Sequence, residues 1–407
     1  MEVFDEIKKR LEKVSEFMEL SSEELGLLLK HEKVNHAVLE VEGKEYDAWR
    51  IIHNNTLGPG KGGIRFHPNV SEDEVKSLSF WMSLKTSLMG LGLGGAKGGV
   101  KVNPKELNEK ELEELSRAYI RAFASVVGQD KDIPAPDVYT TPQIMAWMLD
   151  EYEKIKGHKE PGMITGKPVE LGGIALRADS TSAGGLIILK EFLNKIGKSN
   201  DLKIAIQGFG NAGMNIAKML DKEGFKINAV SDSKGGVFND NSLNIDEVIE
   251  VKKEKGSVVE CENFKKISNK ELLELDVDLL ILGALENQIT KDNVEEVKAK
   301  YILELANGPV SFEADKRLFE KGIIVIPDIL TNAGGVVVSY FEWMLNKGGN
   351  DLDKKDLKKE FQEIMVNSFN KVWELFDNNK DKLNMKSASY VIAIKRILEG
   401  ERLRGRL

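Results

Sequence analysis

Cysteine is almost absent. One residue, Cys261, occurs in 407, which excludes an intrachain disulfide framework and a multi-cysteine zinc site. Histidine is scarce too, and the five present show no HxxxH spacing, so no metal centre is expected. No run approaches the ~20 apolar residues that cross a bilayer. The opening MEVFDEIKKRLEKVSEF is charged throughout, so neither anchoring nor export is expected, and a cytoplasmic setting follows. An excess of positive charge is also missing: 58 Lys and Arg stand against 66 Asp and Glu, a net charge of −8 that offers no footprint for nucleic acid or a membrane surface. Aromatics are only 7% of the chain, yet hydrophobic residues reach 41%, too many for disorder and enough for large cores. The length suits roughly two to three domains, with small molecules as the default partners.

Phe4, Ile7, Leu11, Val14 and Met18 recur at helical spacing, which predicts an amphipathic first helix. Alternation over Val34–Val41 and Lys44–Ile52 predicts paired strands turning at Glu42 and Gly43. Two glycine clusters, 58–68 and 90–99, read as loops on either side of a helix that starts at a Ser71/Glu74 capping box and runs toward Met89. Further helices are expected at Lys110–Val127 and Pro142–Ile155. An aperiodic Gly- and Pro-rich stretch from Gly157 to Gly173 places a domain boundary close to Arg177. Beyond it, short apolar strands at 203–207, 226–231, 277–282, 301–305 and 323–326 alternate with helices, the rhythm of a doubly wound parallel sheet. The expectation is an α/β chain of two domains, 1–177 and a Rossmann-type 178–382, with a C-terminal helix at about 383–407 completing the first. The helical stretch from Lys354 is expected to pack back across both.

Gly208-Phe-Gly210-Asn-Ala-Gly213 follows the strand 203–207 and opens a helical run. The first glycine permits a tight turn, the second lets backbone approach a pyrophosphate, the third lets helix pack on strand, and the helix N-terminus supplies donors. Asp232 follows Gly213 by 19 residues, near the ~20 expected of an acid that binds a ribose hydroxyl. Ser231, Ser233 and Lys234 beside it have the chemistry to hold a 2′-phosphate instead, so the coenzyme stays open between NAD and NADP.

Three lysines and an aspartate stand out in the first half. Lys61 and Lys97 are each set among glycines, which removes side-chain cover and would let a substrate approach the ammonium; a loop lysine is otherwise ordinarily solvated. Lys85 lies on the stripe Val75, Leu78, Met82, Lys85, Met89, where helical periodicity asks for an apolar residue, so it needs an anionic partner or must snorkel to solvent. Asp137 closes Pro134-Ala135-Pro136-Asp137, whose prolines stiffen the backbone and fix where the carboxylate points.

With these motifs the sequence resembles the glutamate dehydrogenase members of the Glu/Leu/Phe/Val amino-acid dehydrogenase superfamily, from the first glycine cluster to Asn332-Ala-Gly-Gly-Val-Val-Val-Ser339. The resemblance implies that the first domain binds substrate and oligomerises, the second binds NAD or NADP, and the assembly is a homohexamer. It implies further that Lys61 binds the side-chain carboxylate of L-glutamate and Lys85 its α-carboxylate, that Lys97 is catalytic, and that Asp137 transfers protons. Met82, Ala135, Val336 and Ser339 join the substrate pocket by the same resemblance, while Thr181, Asn211, Asn307 and Asn332 join Gly208, Gly210, Gly213, Asp232 and Ser233 around the coenzyme. Gly92, Gly283 and Asp179-Ser180-Thr181 depart from the family pattern without touching the four charged residues. The implied reaction is hydride transfer from the α-carbon to nicotinamide, water attack on the iminium, and release of 2-oxoglutarate and ammonia. Burial and two neighbouring cations would lower the pKa of Lys97. The alternatives are a leucine, valine or phenylalanine dehydrogenase, which would leave Lys61 facing an apolar side chain, and a non-catalytic regulatory paralogue, which would have no use for Lys97 or Asp137.

Overall fold

The computed structural model describes residues 3–177, 179–348 and 354–407; Ala178, where the second domain was expected to begin, lies outside them. The chain forms two compact units. One comprises Met1–Ala178, Val336–Phe361 and Tyr390–Leu407, the other Asp179–Gly335 and Gln362–Ser389. Residues 336–361 therefore leave the expected Rossmann segment for the first unit, and 383–389 stay with the second. Buried polar contacts explain the first of these shifts: Gly166 N–H donates to both oxygens of the fully buried Glu342 at 2.9 Å, and Trp343 Nε1 donates to the Gln129 carbonyl at 2.9 Å. Among the described residues no helix is long and apolar enough to cross a membrane.

In the first unit, α1 (Val3–Met18) and α2 (Ser22–Leu29) precede β1 (Lys33–Val41), β2 (Lys44–Asn54) and β3 (Gly60–His67). Then come α3 (Glu72–Leu88), β4 (Gly95–Lys101), α4 (Glu109–Phe123), β5 (Asp132–Pro136) and α5 (Pro142–Lys156). The five strands form one sheet in the order β1-β2-β4-β3-β5. β1 and β2 pair antiparallel through the turn at Glu42 and Gly43, both at positive φ, and β3 runs parallel to β4 and β5. Ala48, Ile64, Phe66 and Val100 on one face pack with Tyr119 and Phe123 of α4 and Met145 and Met148 of α5. Trp49 and Ile51 on the other meet Val70 and Val75, the latter on α3. α3 is not the simple striped helix its spacing suggests, because Ser77, Ser79, Ser83, Thr86 and Ser87 are buried along with its apolar residues.

The second unit runs α6 (Ser180–Lys195), β6 (Lys203–Gln207), α7 (Asn211–Lys222), β7 (Lys226–Asp232), β8 (Gly235–Phe238), α8 (Ile245–Lys255), β9 (Lys265–Ile267) and α9 (Asn269–Leu273). It continues with β10 (Leu279–Leu282), β11 (Tyr301–Glu304), α10 (Phe312–Glu320), β12 (Ile324–Ile326) and α11 (Asp328–Thr331). α12 (Gly334–Gly348), α13 (Lys354–Asp377) and α14 (Met385–Leu403) each contribute residues to both units. The sheet order is β12-β11-β10-β6-β7-β8-β9. Its first five strands are parallel, the doubly wound core, but β8 and β9 run antiparallel. Only Ser233 and Lys234 separate β7 from β8, a link too short for a crossover, so a hairpin is obligatory and the sheet is mixed.

Candidate active site

The two glycine clusters form strands. Gly60–His67 is β3 and Gly95–Lys101 is β4, at the centre of the first sheet. Their glycines admit neighbouring chain: a Cβ on Gly62 would lie 1.6 Å from the Ala96 carbonyl oxygen, one on Gly95 2.1 Å from the Ser83 nitrogen, and one on Gly98 2.3 Å from the Tyr119 hydroxyl. Close packing therefore explains these glycines. Alternation along β3 and β4 places Lys61 and Lys97 opposite Ile64 and Val100, on the face that α3 covers, and α3 carries the half-buried Lys85 and Met82.

Lys61 is only 1% exposed, and its Nζ donates to the Ile133 carbonyl of β5 at 3.4 Å. The prolines of β5 sit on an edge strand, where a missing N–H costs no ladder bond, and the chain leaves the strand at Asp137. Gly63, paired with Ala135, leaves room there, since its Cβ would come within 2.8 Å of the Asp137 Cβ. Asp137 N–H donates to Thr140 Oγ1 at 2.7 Å, and that hydroxyl lies 2.8 Å from the Ile64 carbonyl, so the turn is fixed to β3. The result is an ion pair between Lys97 Nζ and Asp137 Oδ2. The other carboxylate oxygen accepts from Arg65 Nε at 3.0 Å and from Val138 N–H at 2.7 Å, and Arg65 Nη1 reaches Glu74 at 2.5 Å. Ser71 caps α3 as expected, but Glu74 gives its carboxylate to Arg65.

Burial lowers the pKa of Lys97 and the Arg65 charge lowers it further, against the opposing pull of Asp137. The neighbouring cation is thus Arg65, where the sequence suggested Lys61 and Lys85. Burial alone would raise the carboxyl of Asp137; Lys97 and Arg65 outweigh it and hold the group ionised well below the usual carboxylate range. A second buried pair braces this arrangement. Arg50 of β2 donates through Nε to Asp132 Oδ2 at 2.7 Å and through Nη1 to the Gly62 carbonyl at 3.0 Å, tying three strands beneath the glycine-rich pair. Val336 and Ser339 on α12 are both buried in this unit.

All the residues expected at the coenzyme fall in the second unit. Gly208 has φ +90°, and a Cβ on Gly213 would lie 1.8 Å from the Gly208 carbonyl oxygen, so the turn and the helix contact both require glycine. Gly210 differs: a Cβ there would meet nothing within 4 Å, and no side chain caps α7. α7 thus begins uncapped by a side chain, beside open space at Gly210, which fits a pyrophosphate at its N-terminus. Asn332 Nδ2 donates to Asn307 Oδ1 at 2.9 Å, bringing these two together at the ends of β11 and β12; Thr181 lies in α6. Asp232 ends β7 with its carboxylate engaged. Its carboxylate already accepts from Lys252 Nζ at 2.6 Å, Ser257 Oγ at 3.0 Å, and the N–H groups of Lys234 at 3.0 Å and Val258 at 2.9 Å. Ser233 and Lys234 remain exposed beside it.

Residues 172–405 match the model of the glutamate/leucine/phenylalanine/valine dehydrogenase family, and residues 31–154 that of its dimerisation domain. The chain belongs to this dehydrogenase family. It is 44% identical to an NADP-specific glutamate dehydrogenase of Saccharolobus shibatae, over 98% of this chain and 96% of that one. It is 42% identical to a cryptic catabolic NAD-specific glutamate dehydrogenase of Bacillus subtilis, over 98% and 94%. A hetero-hexameric glutamate dehydrogenase of Thermus thermophilus, solved in a leucine-bound form, superposes with a TM-score of 0.91 at 29% identity, over 99% of this chain and 97% of that one. Within this dehydrogenase, sequence reasoning missed Arg65, Glu74 and Lys252. The signal for Arg65 was a charged residue in an otherwise glycine-rich run; Lys252, 20 residues from Asp232 on the charged helix α8, carried none.

Proposed function

We propose that the protein is a glutamate dehydrogenase, interconverting L-glutamate with 2-oxoglutarate and ammonia with NAD or NADP. The observation that carries this is the ion pair of buried Lys97 with half-buried Asp137, Lys97 lying on the sheet face that also holds the buried Lys61. Two substrate carboxylates call for two cations: Lys61 takes the side-chain carboxylate and Lys85 the α-carboxylate, and together they orient the α-carbon. Met82, Ala135, Val336 and Ser339 line the same pocket. A nicotinamide coenzyme, when bound, would supply the acceptor for the hydride of that carbon. Lys97, kept low in pKa by burial and Arg65, polarises the carbon–oxygen group and activates water, while Asp137 receives and returns the amine proton. Thr181, Asn211, Asn307 and Asn332 would hold the coenzyme, with the α7 N-terminus offering donors to its pyrophosphate. A leucine- or valine-type substrate would bury an apolar side chain against the Lys61 ammonium, which disfavours that reading.

The assembly we infer is a homohexamer, with the first unit as the substrate and oligomerisation domain; likeness to the hetero-hexameric Thermus enzyme supports a six-subunit assembly. The lone cysteine, buried at Cys261, suits a reducing cytoplasm. A steady-state assay of 2-oxoglutarate with ammonia and NADH or NADPH tests the proposal. Oxidation of either coenzyme that requires both 2-oxoglutarate and ammonia is expected; activity only with branched or aromatic 2-oxo acids would refute it.

A further inference from the structure

Three charged side chains lie inside the second unit, and the chemistry above uses none of them. Glu304 is fully buried at the end of β11, Asp328 opens α11 after β12, and Lys386 lies in the first turn of α14. Lys386 Nζ reaches both Glu304 oxygens at 2.7 Å and lies 3.9 Å from Asp328 Oδ1. Burial, with Asp328 and Asp315 close by, pushes the Glu304 carboxyl up to about 7 in spite of the Lys386 ammonium. Such a cluster is costly, and well-packed apolar residues would stabilise a core at least as well. Its hydrogen bonds show what it holds.

Glu304 Oε2 accepts the Asp328 N–H at 3.0 Å, and the Thr331 hydroxyl donates to the Glu304 carbonyl. Asp328 Oδ2 in turn accepts the N–H of Gly308 at 2.8 Å, at a residue whose φ is +57°. Lys386 is itself placed by Asn384, whose Oδ1 caps the Ser387 N–H at 2.8 Å and whose Nδ2 donates to Asp315 at 2.9 Å. The cluster thus fastens two segments to each other, 304–308 after β11 and 327–332 after β12. These segments carry Asn307 and Asn332, joined side chain to side chain at the carboxyl edge of the parallel strands, where a doubly wound sheet takes its ligand.

We propose that Glu304, Asp328 and Lys386 are positioning residues for the coenzyme: an ionic clasp, out of reach of the ligand, that presets the Asn307–Gly308 turn and Asn332. This rests on the assignment of those asparagines to the coenzyme. The role differs from simple core stability, because the clasp acts on two short segments at the ligand edge.

The test uses the full-length protein and titrates NADH and NADPH by their fluorescence, a readout independent of which amino acid is turned over. Asp328→Asn keeps the size of the side chain but leaves one of the Gly308 and Ile329 N–H groups without its acceptor. Lys386→Met removes the cation, and the double variant Glu304→Gln/Lys386→Met restores charge balance while an amide oxygen still accepts the Asp328 N–H. Both single variants are expected to weaken coenzyme binding about tenfold or more, with KM for glutamate within about twofold. The double variant should recover to within about threefold of the parent. Coenzyme affinity unchanged in Asp328→Asn overturns the proposal, and this variant decides the matter if Lys386→Met is insoluble. A double variant no tighter than Lys386→Met overturns it also, as does a loss of glutamate KM and thermal midpoint in step with coenzyme affinity. Absence of turnover on glutamate in the parent protein would instead strike the functional reading, with the coenzyme titration still deciding the role of the clasp.

Discussion

Asp137 has a cation against each of its carboxylate oxygens, and that arrangement governs how Lys97 titrates. Arg65→Met removes a positive charge near Lys97 and frees Glu74, and both changes raise the Lys97 pKa. If neutral Lys97 is the base in glutamate oxidation, the rising limb of kcat against pH should move to higher pH in the variant. A pH profile of kcat checks this, and a limb that stays or moves to lower pH removes Arg65 from the account. Coenzyme choice is a second matter of single residues. Asp232 reads from sequence as a carboxylate that repels a 2′-phosphate, but Lys252 neutralises it and four donors occupy its oxygens. Lys252→Met should expose that charge and lower kcat/KM with NADP relative to NAD by roughly tenfold, equivalent to ~1.4 kcal/mol. An unchanged ratio would leave selection to Ser233 and Lys234.

At the scale of strands and helices, glycine does two jobs that the sequence writes alike. Gly62 is wedged against backbone, so Gly62→Ala should force β3 and β4 apart at a cost of about 3 kcal/mol, lowering the thermal midpoint by roughly 6 °C or more. Gly210 has space and a negative φ, so Gly210→Ala should leave the midpoint within about 1 °C and weaken coenzyme binding instead. Thermal unfolding and coenzyme titration on both variants separate the two roles, and equal midpoints would contradict the packing argument. The ambiguity explains which elements were legible. Strand β6 and the β1–β2 hairpin follow from alternation and turn chemistry, and α5 from its Pro142 start. β3 and β4 read as loops from sequence because glycine favours turns, and the neighbours that demand it, Ala96, Ser83 and Tyr119, are close only in space. α2 is short, but its start is written in the sequence, where Ser21 and Glu24 form a complete capping box. β8 and β9 are too short, at four and three residues, for alternation to register.

For the molecule as a whole, the sequence placed Lys61, Lys85, Lys97 and Asp137 in the first expected domain and the coenzyme residues in the second, with Val336 and Ser339 as late substrate residues. The two units keep that partition by function, because α12 carries Val336 and Ser339 into the first. Local patterning cannot show that late segments return to an early unit, since the contacts that hold them, such as Lys167 with Glu342 and Trp81 with Tyr390, span 175 and 309 residues. The central claim is that this dehydrogenase selects a dicarboxylic substrate through the buried ammonium of Lys61. Removing one partner of a buried charge pair costs ~3 to 5 kcal/mol, which corresponds to roughly a 100- to 4,000-fold loss of catalytic efficiency on glutamate in Lys61→Leu. Lys85, Lys97 and Asp137 remain in place, so norvaline and leucine should hold or gain. The decisive measurement is kcat/KM on glutamate, norvaline and leucine for the parent and Lys61→Leu: the account predicts a collapse confined to glutamate, and an equal fall on all three substrates would contradict it.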